Sequence, residues 1–198
     1  MLSAMLRRLG LLELDDRIEH PAVTTAAMLI LSFLGACLTG LLAQIRLPIP
    51  GTPVPVTGQV MAVLVCGALL GSGYGAFSQI LYVGLGILGM PWFTGGDSGY
   101  LVLAGPTGGY LIGFVVAALF VGTTSERGKA AKSVGGQTRR MLAAVCLIYF
   151  FGVVHLIVTM QIGVATAFAW GVLPFIAGDV VKAIMAAFFT SAVLPKDR

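Results

Sequence analysis

Met141-Leu-Ala-Ala-Val-Cys-Leu-Ile-Tyr-Phe-Phe-Gly-Val-Val-His-Leu-Ile-Val-Thr-Met-Gln161 runs for 21 residues without one Asp, Glu, Lys or Arg. As a helix it would measure about 32 Å, which matches the roughly 30 Å hydrocarbon core of a bilayer. Working outward, five further apolar runs lie at about Ala22–Ile45, Val56–Leu70, Ala76–Met90, Pro106–Val121 and Pro174–Leu194. Of the 198 residues 58% are hydrophobic and only 10% charged, against roughly 25% charged in soluble globular domains. Lipid must therefore solvate much of the surface. The sequence predicts an all-α, multi-pass protein of the plasma membrane: a cytoplasmic tail or amphipathic helix over residues 1–20, then one six-helix membrane domain over 21–198.

Charge location sets the orientation. With the N-terminus inside, the inner segments carry ten basic residues (Arg7, Arg8, Arg17, Arg127, Lys129, Lys132, Arg139, Arg140, Lys196, Arg198) and the outer loops one, Arg46. That bias puts both termini in the cytoplasm by the positive-inside rule. The net charge of +4 is thus spent on topology and calls for no nucleic-acid partner. Two segments of unusual backbone fall together on the outer side. One is Leu47-Pro-Ile-Pro-Gly-Thr-Pro-Val-Pro-Val-Thr57, whose four prolines forbid a continuous helix. The other is the glycine- and aromatic-rich loop 91–105. Irregular backbone at membrane depth must be buried in protein or line a cavity. Trp92 and Trp170 are expected at the outer interface.

The strongest chemical signal is Gly178-Asp-Val-Val-Lys182 in the last helix. A charge at membrane depth costs about 2.5–3.5 kcal/mol on insertion scales and normally faces a bundle interior. The i, i+3 spacing puts Asp179 and Lys182 on one face, where they pair with each other or grip a ligand. Asp97 is the other acid outside the inner segments, and reads equally well as a turn residue. Gln59 at the start of the second run, Tyr82 in the third, and Phe93 and Tyr100 in the outer loop are candidates to line a pocket beneath it. Arg46 reads as incidental. His155 has no neighbouring histidine and is expected to hydrogen-bond across helices; no metal-ligand spacing occurs. The three cysteines sit in apolar runs and read as small hydrophobes.

Gly122-Thr-Thr-Ser-Glu-Arg-Gly-Lys-Ala130 has one residue too many for a P-loop and Ala where Ser or Thr should hold Mg²⁺. Energy for any transport must come from a gradient or a separate subunit. Gly67-x₃-Gly71-x₃-Gly75 and Gly105-x₃-Gly109-x₃-Gly113 are read as close-packing faces. The stripe Ser32-x₃-Ala36-x₃-Gly40 on the first helix packs inside the bundle or meets another protein.

Pro50-Gly-Thr-Pro-Val-Pro-Val-Thr-Gly-Gln59, Cys66-Gly-Ala-Leu-Leu-Gly71, Gly89-Met-Pro-Trp-Phe-Thr-Gly-Gly96, Gly105-Pro-Thr-Gly-Gly-Tyr110 and Gly178-Asp-x-x-Lys182 together resemble the BioY family, the biotin-binding S-components of energy-coupling factor (ECF) transporters. The resemblance runs from the first helix to the last. It implies capture of biotin from outside, no cofactor, no enzymatic activity, and work with a transmembrane coupling protein and two ABC ATPases in the lipid bilayer. It carries biotin contact onto Asp179 and Lys182, and onto Asp97 at the polar position after the double glycine. It carries coupling-protein docking onto Ser32, Ala36 and Gly40. On chemical grounds the ureido ring would sit among Asp179, Asp97 and Lys182 with the valerate toward the outer mouth, because two acids repel a carboxylate. In that pose biotin amide binds much like biotin. Two other readings remain at this point: an S-component for a different small vitamin, and an intramembrane enzyme built on His155 and Asp179.

Overall fold

The structure is a computed structural model that describes residues 21–125 and 133–194. The tail 1–20, Arg127, Lys129, Lys132, Lys196 and Arg198 lie outside the described residues. Seven helices and one small hairpin follow in order: α1 (Pro21–Ala43), β1 (Arg46–Leu47), β2 (Val56–Thr57), α2 (Gln59–Ile87), α3 (Tyr100–Ala104), α4 (Gly108–Ser125), α5 (Val134–Met160), α6 (Val164–Gly171) and α7 (Ile176–Val193). By length and apolarity, Ala22–Ala43, Gln59–Ile87, Val134–Met160 and Ile176–Val193 can cross a membrane, and Gly108–Thr123 is a shorter apolar helix.

The second and third expected runs fall within α2, which is broken at Gly71 (φ 79°, ψ −177°). Such backbone is accessible to glycine and foreign to a helix. In a straight helix the 23 residues from Gln59 to Tyr82 would span about 34 Å, yet Gln59 Nε2 donates to Tyr82 Oη at 2.7 Å. The chain therefore reverses at Gly71, and α2 is a hairpin of two short antiparallel arms. A Cβ on Gly75 would meet the Gly67 backbone at 2.8 Å, and one on Gly67 would meet the Ala118 carbonyl of α4 at 2.7 Å, so the glycine stripe serves packing as expected. The second stripe does the same, with Gly109 against Phe151 and His155 and Gly113 against Ile148. Counting the arms separately gives six apolar helical segments in alternating directions.

Three differences from expectation have plain causes. Helix α5 starts at Val134, seven residues before the apolar run, because Ser133 caps it by accepting from the Gly136 N–H and Gln137 Oε1 accepts from Thr190 Oγ1 at 2.7 Å. A cap and a buried hydrogen bond can extend a helix past its apolar run. The short helix α3 lies in the connection expected to be irregular, and α6 adds a short helix between the fifth and sixth runs. Trp92 is buried rather than interfacial: its Nε1 donates to the Tyr82 carbonyl at 2.9 Å and its ring lies 5.4 Å from that of Tyr82.

The connections 44–58, 88–107 and 161–175 gather at one end of the bundle, the outer end by the charge bias. Gln44 Nε2 donates to the carbonyls of Trp92 and Phe93 at 3.1 Å, and Thr52 Oγ1 to that of Trp170 at 2.9 Å. These bonds tie the proline hairpin to both other connections. The core below is built from small side chains (Ala36, Ala68, Ala117, Ala118, Ala183, Ala186, Ala187) interleaved with Leu64, Phe114, Met141 and Ile148. It holds the helices close together below a cavity that lies beneath the loops.

Candidate functional site: a polar cavity under the outer loops

A cavity of about 560 Å³ lies under these connections, well within the roughly 300–1,000 Å³ of small-molecule sites. The proline hairpin contributes Val54 and Thr57, α2 Gln59 and Tyr82, the outer loop Phe93, Thr94 and Asp97, α4 Tyr110 and Phe114, α5 Tyr149, and α7 Asp179 and Lys182. Residues from Val54 to Lys182, 128 positions apart in sequence, are thus collected around one cavity, and prolines and glycines supply the turns that bring them there.

Asp179 anchors the deep polar wall. It stands in the first turn of α7, where the helix dipole favours an anion. Its carboxylate takes Lys182 Nζ on Oδ1 at 2.7 Å and Tyr149 Oη on Oδ2 at 2.7 Å. The expected pairing of Asp179 with Lys182 across i, i+3 is what the structure shows; the side chains are 3% and 17% exposed. Tyr149 escaped the sequence reading, because a hydroxyl inside an apolar run carries no charge to notice. Only the packing of α5 against α7 reveals it. Tyr149→Phe should remove one of the two bonds that aim the carboxylate, weakening ligand binding about 5- to 10-fold and lowering thermal stability, since a buried carboxylate oxygen loses its donor. Equilibrium binding on the purified variant checks this.

A second network forms on the other side. Gln59 Oε1 accepts from Thr57 Oγ1 at 2.8 Å and Thr94 Oγ1 at 3.2 Å, while its Nε2 donates to Tyr82. Gln59 is thereby a rigid junction between hairpin, loop and α2. Phe93 stands edge-on to Tyr82 with centroids 5.4 Å apart, so the two rings form an apolar wall with a polar rim.

Of the seven expected pocket residues, Asp179, Lys182, Asp97, Gln59, Tyr82 and Phe93 line the cavity. Tyr100 does not: it is 65% exposed at the start of α3, while its neighbours Leu101 and Val102 border the cavity mouth. Two corrections matter more. Arg46, read as incidental, lines the cavity, since the pairing of β1 with β2 (Arg46 opposite Thr57) swings it over the loops. Ser32, Ala36 and Gly40, expected to meet a coupling protein, face the bundle instead. Ser32 and Ala36 are fully buried; Ser32 Oγ donates to the Met28 carbonyl at 2.8 Å and the Tyr74 carbonyl at 3.1 Å, and a Cβ on Gly40 would press on Trp92 at 3.1 Å. The lipid-side face of α1 is Leu29, Ile30, Phe33, Leu34 and Leu41. The physical reason is that small residues let α1 approach the second arm of α2.

His155 is absent from the cavity lining; its Nε2 lies 2.9 Å from the Gly105 carbonyl, holding the connection before α4. The histidine is thus hydrogen-bonded to a loop carbonyl rather than across to another helix, and it is not paired with Asp179. Among the described residues no group of three or more His, Cys, Asp or Glu is placed to hold a metal ion.

The BioY family profile matches residues 16–196. The chain belongs to the BioY family. It is 34% identical over 148 residues to the biotin transporter BioY of Rhizobium etli, covering 72% of this chain and 79% of that one. With the probable biotin transporter BioY of Pyrococcus horikoshii it shares 40% over 149 residues, 75% and 85% of the two chains, and with the biotin transporter BioY of Thermotoga maritima 36% over 139 residues, 70% and 80%. The crystal structure of the S-component for biotin from an ECF-type ABC transporter superposes with a TM-score of 0.79 at 27% identity, over 85% of this chain and 91% of that one. As a BioY family member with several helices apolar enough to cross a bilayer, the protein is a multi-pass membrane protein and not an enzyme.

Proposed function

We propose that the protein captures biotin from the outer side of the plasma membrane and delivers it inward as the substrate-specific S-component of an ECF-type ABC transporter. The observation that carries this reading is the Tyr149–Asp179–Lys182 triad in the wall of a partly aromatic cavity, in a chain of the family whose relatives are named biotin transporters. Biotin presents two ureido N–H donors, a ureido carbonyl, an apolar bicyclic ring and a carboxylate. Asp179 accepts from an N–H, Lys182 donates to the carbonyl while balancing Asp179, and Asp97 takes the second N–H. Such charge-assisted bonds are the strong class. Tyr82 and Phe93 cover the ring faces, and Gln59 keeps that wall in place. No cofactor enters; biotin is cargo.

Because the chain offers no nucleotide-binding loop, energy comes from partners: a transmembrane coupling protein and two ABC ATPases, assembled in the lipid bilayer. The test is uptake of labelled biotin by biotin-requiring cells expressing the chain with and without a coupling module. Uptake that needs both the chain and ATP hydrolysis by the module is expected. Uptake of thiamine or riboflavin in place of biotin would reassign the substrate.

A further inference from the structure

The cavity holds two cations that stand in different states. Lys182 is committed to Asp179 by a 2.7 Å ion pair, and Tyr149 occupies the other carboxylate oxygen. Arg46 also lines the cavity, but among the described residues its guanidinium has no ion-pair or hydrogen-bond partner, Asp97 included. It comes from the start of the proline hairpin, at the loop end of the cavity, and is cradled by Gly95: a Cβ there would run into the guanidinium, and the φ of +86° already favours glycine. A ligand carboxylate placed at Lys182 would lie against Asp179 and be repelled. Placed at the loop end it meets a free planar fork suited to bidentate recognition.

We propose that Arg46 is a specificity-determining residue that anchors the carboxylate of the bound ligand, so that the site demands a free acid at its outer end and discriminates against ligands whose carboxyl is amidated or esterified. This rests on the biotin reading above and replaces the expectation that biotin amide would bind like biotin. Biotin and biotin amide are titrated into the purified wild-type chain, Arg46→Gln and Arg46→Lys. In wild type the amide should bind roughly 10- to 100-fold more weakly, the size of a lost charge-assisted bond. In Arg46→Gln, biotin should fall to the level of the amide, whose own affinity stays unchanged; in Arg46→Lys a point charge without the fork should recover part of the preference.

Equal binding of acid and amide by wild type overturns the proposal, as does a preference that survives intact in Arg46→Gln, which would put the carboxylate on Lys182. Loss of both ligands in Arg46→Gln also counts against it, since Arg46 would then be structural. Wild type binding neither compound would instead defeat the biotin reading itself.

Discussion

Lys182→Met is expected to abolish useful biotin binding, lowering affinity at least about 100-fold. The lost charge-assisted bond alone is worth about 1.5–3 kcal/mol. In addition, Asp179, whose side chain is 3% exposed, loses its counter-ion, and breaking one side of a buried pair costs about 3–5 kcal/mol. The variant should therefore also melt earlier. Adding Asp179→Asn removes both charges and should return much of the thermal stability while leaving binding lost. That split separates the residue's role toward ligand from its role in the fold: titration reads the first, a thermal melt in detergent the second. Wild-type affinity in Lys182→Met would remove the lysine from the site.

Ala36→Phe has the second large expected effect, and it follows from a reversal. If Ala36 faced a coupling protein, a bulky side chain would spare binding and impair uptake alone. Ala36 is instead fully buried in the seam between α1 and the second arm of α2, where Ser32 bonds the Tyr74 carbonyl and a Cβ on neighbouring Gly35 would already press on Ser78 Cβ at 3.2 Å. Overpacking such a seam costs about 1–3 kcal/mol or more, and the second arm carries Tyr82 in the cavity wall. The variant should lose folded yield, thermal stability and biotin binding together. A variant that folds and binds normally but fails in uptake would show that this side of α1 meets a partner after all.

The same residues show what the sequence could and could not disclose. Apolar run length exposes the helices because a bilayer admits few other structures. The fold-back at Gly71 was legible because two runs too short to be one long helix flank a glycine-rich turn. The Asp179–Lys182 pair was legible because charge at membrane depth demands a reason and helical spacing puts both on one face. The small-residue stripe on α1 was ambiguous by nature: Ser, Ala and Gly say that something approaches closely, not what. Tyr149 was hidden because a neutral hydroxyl looks like any aromatic until the facing helix is known. Arg46 was misjudged because its distance from the other polar residues is spanned by the proline hairpin, whose strand pairing the sequence does not announce. Tyr100 failed for a different reason: in the short helix α3 its neighbours Leu101 and Val102 border the cavity and the tyrosine does not.

Calorimetric titration of biotin into the purified chain in detergent, without partner subunits, decides whether this cavity is a biotin site. Saturable binding of one biotin per chain is expected, with a Kd below about 1 μM, more than roughly 8 kcal/mol, and loss of that heat in Lys182→Met. Absence of saturable biotin binding by well-folded wild-type protein, or equal binding by Lys182→Met, would contradict a biotin site in this cavity.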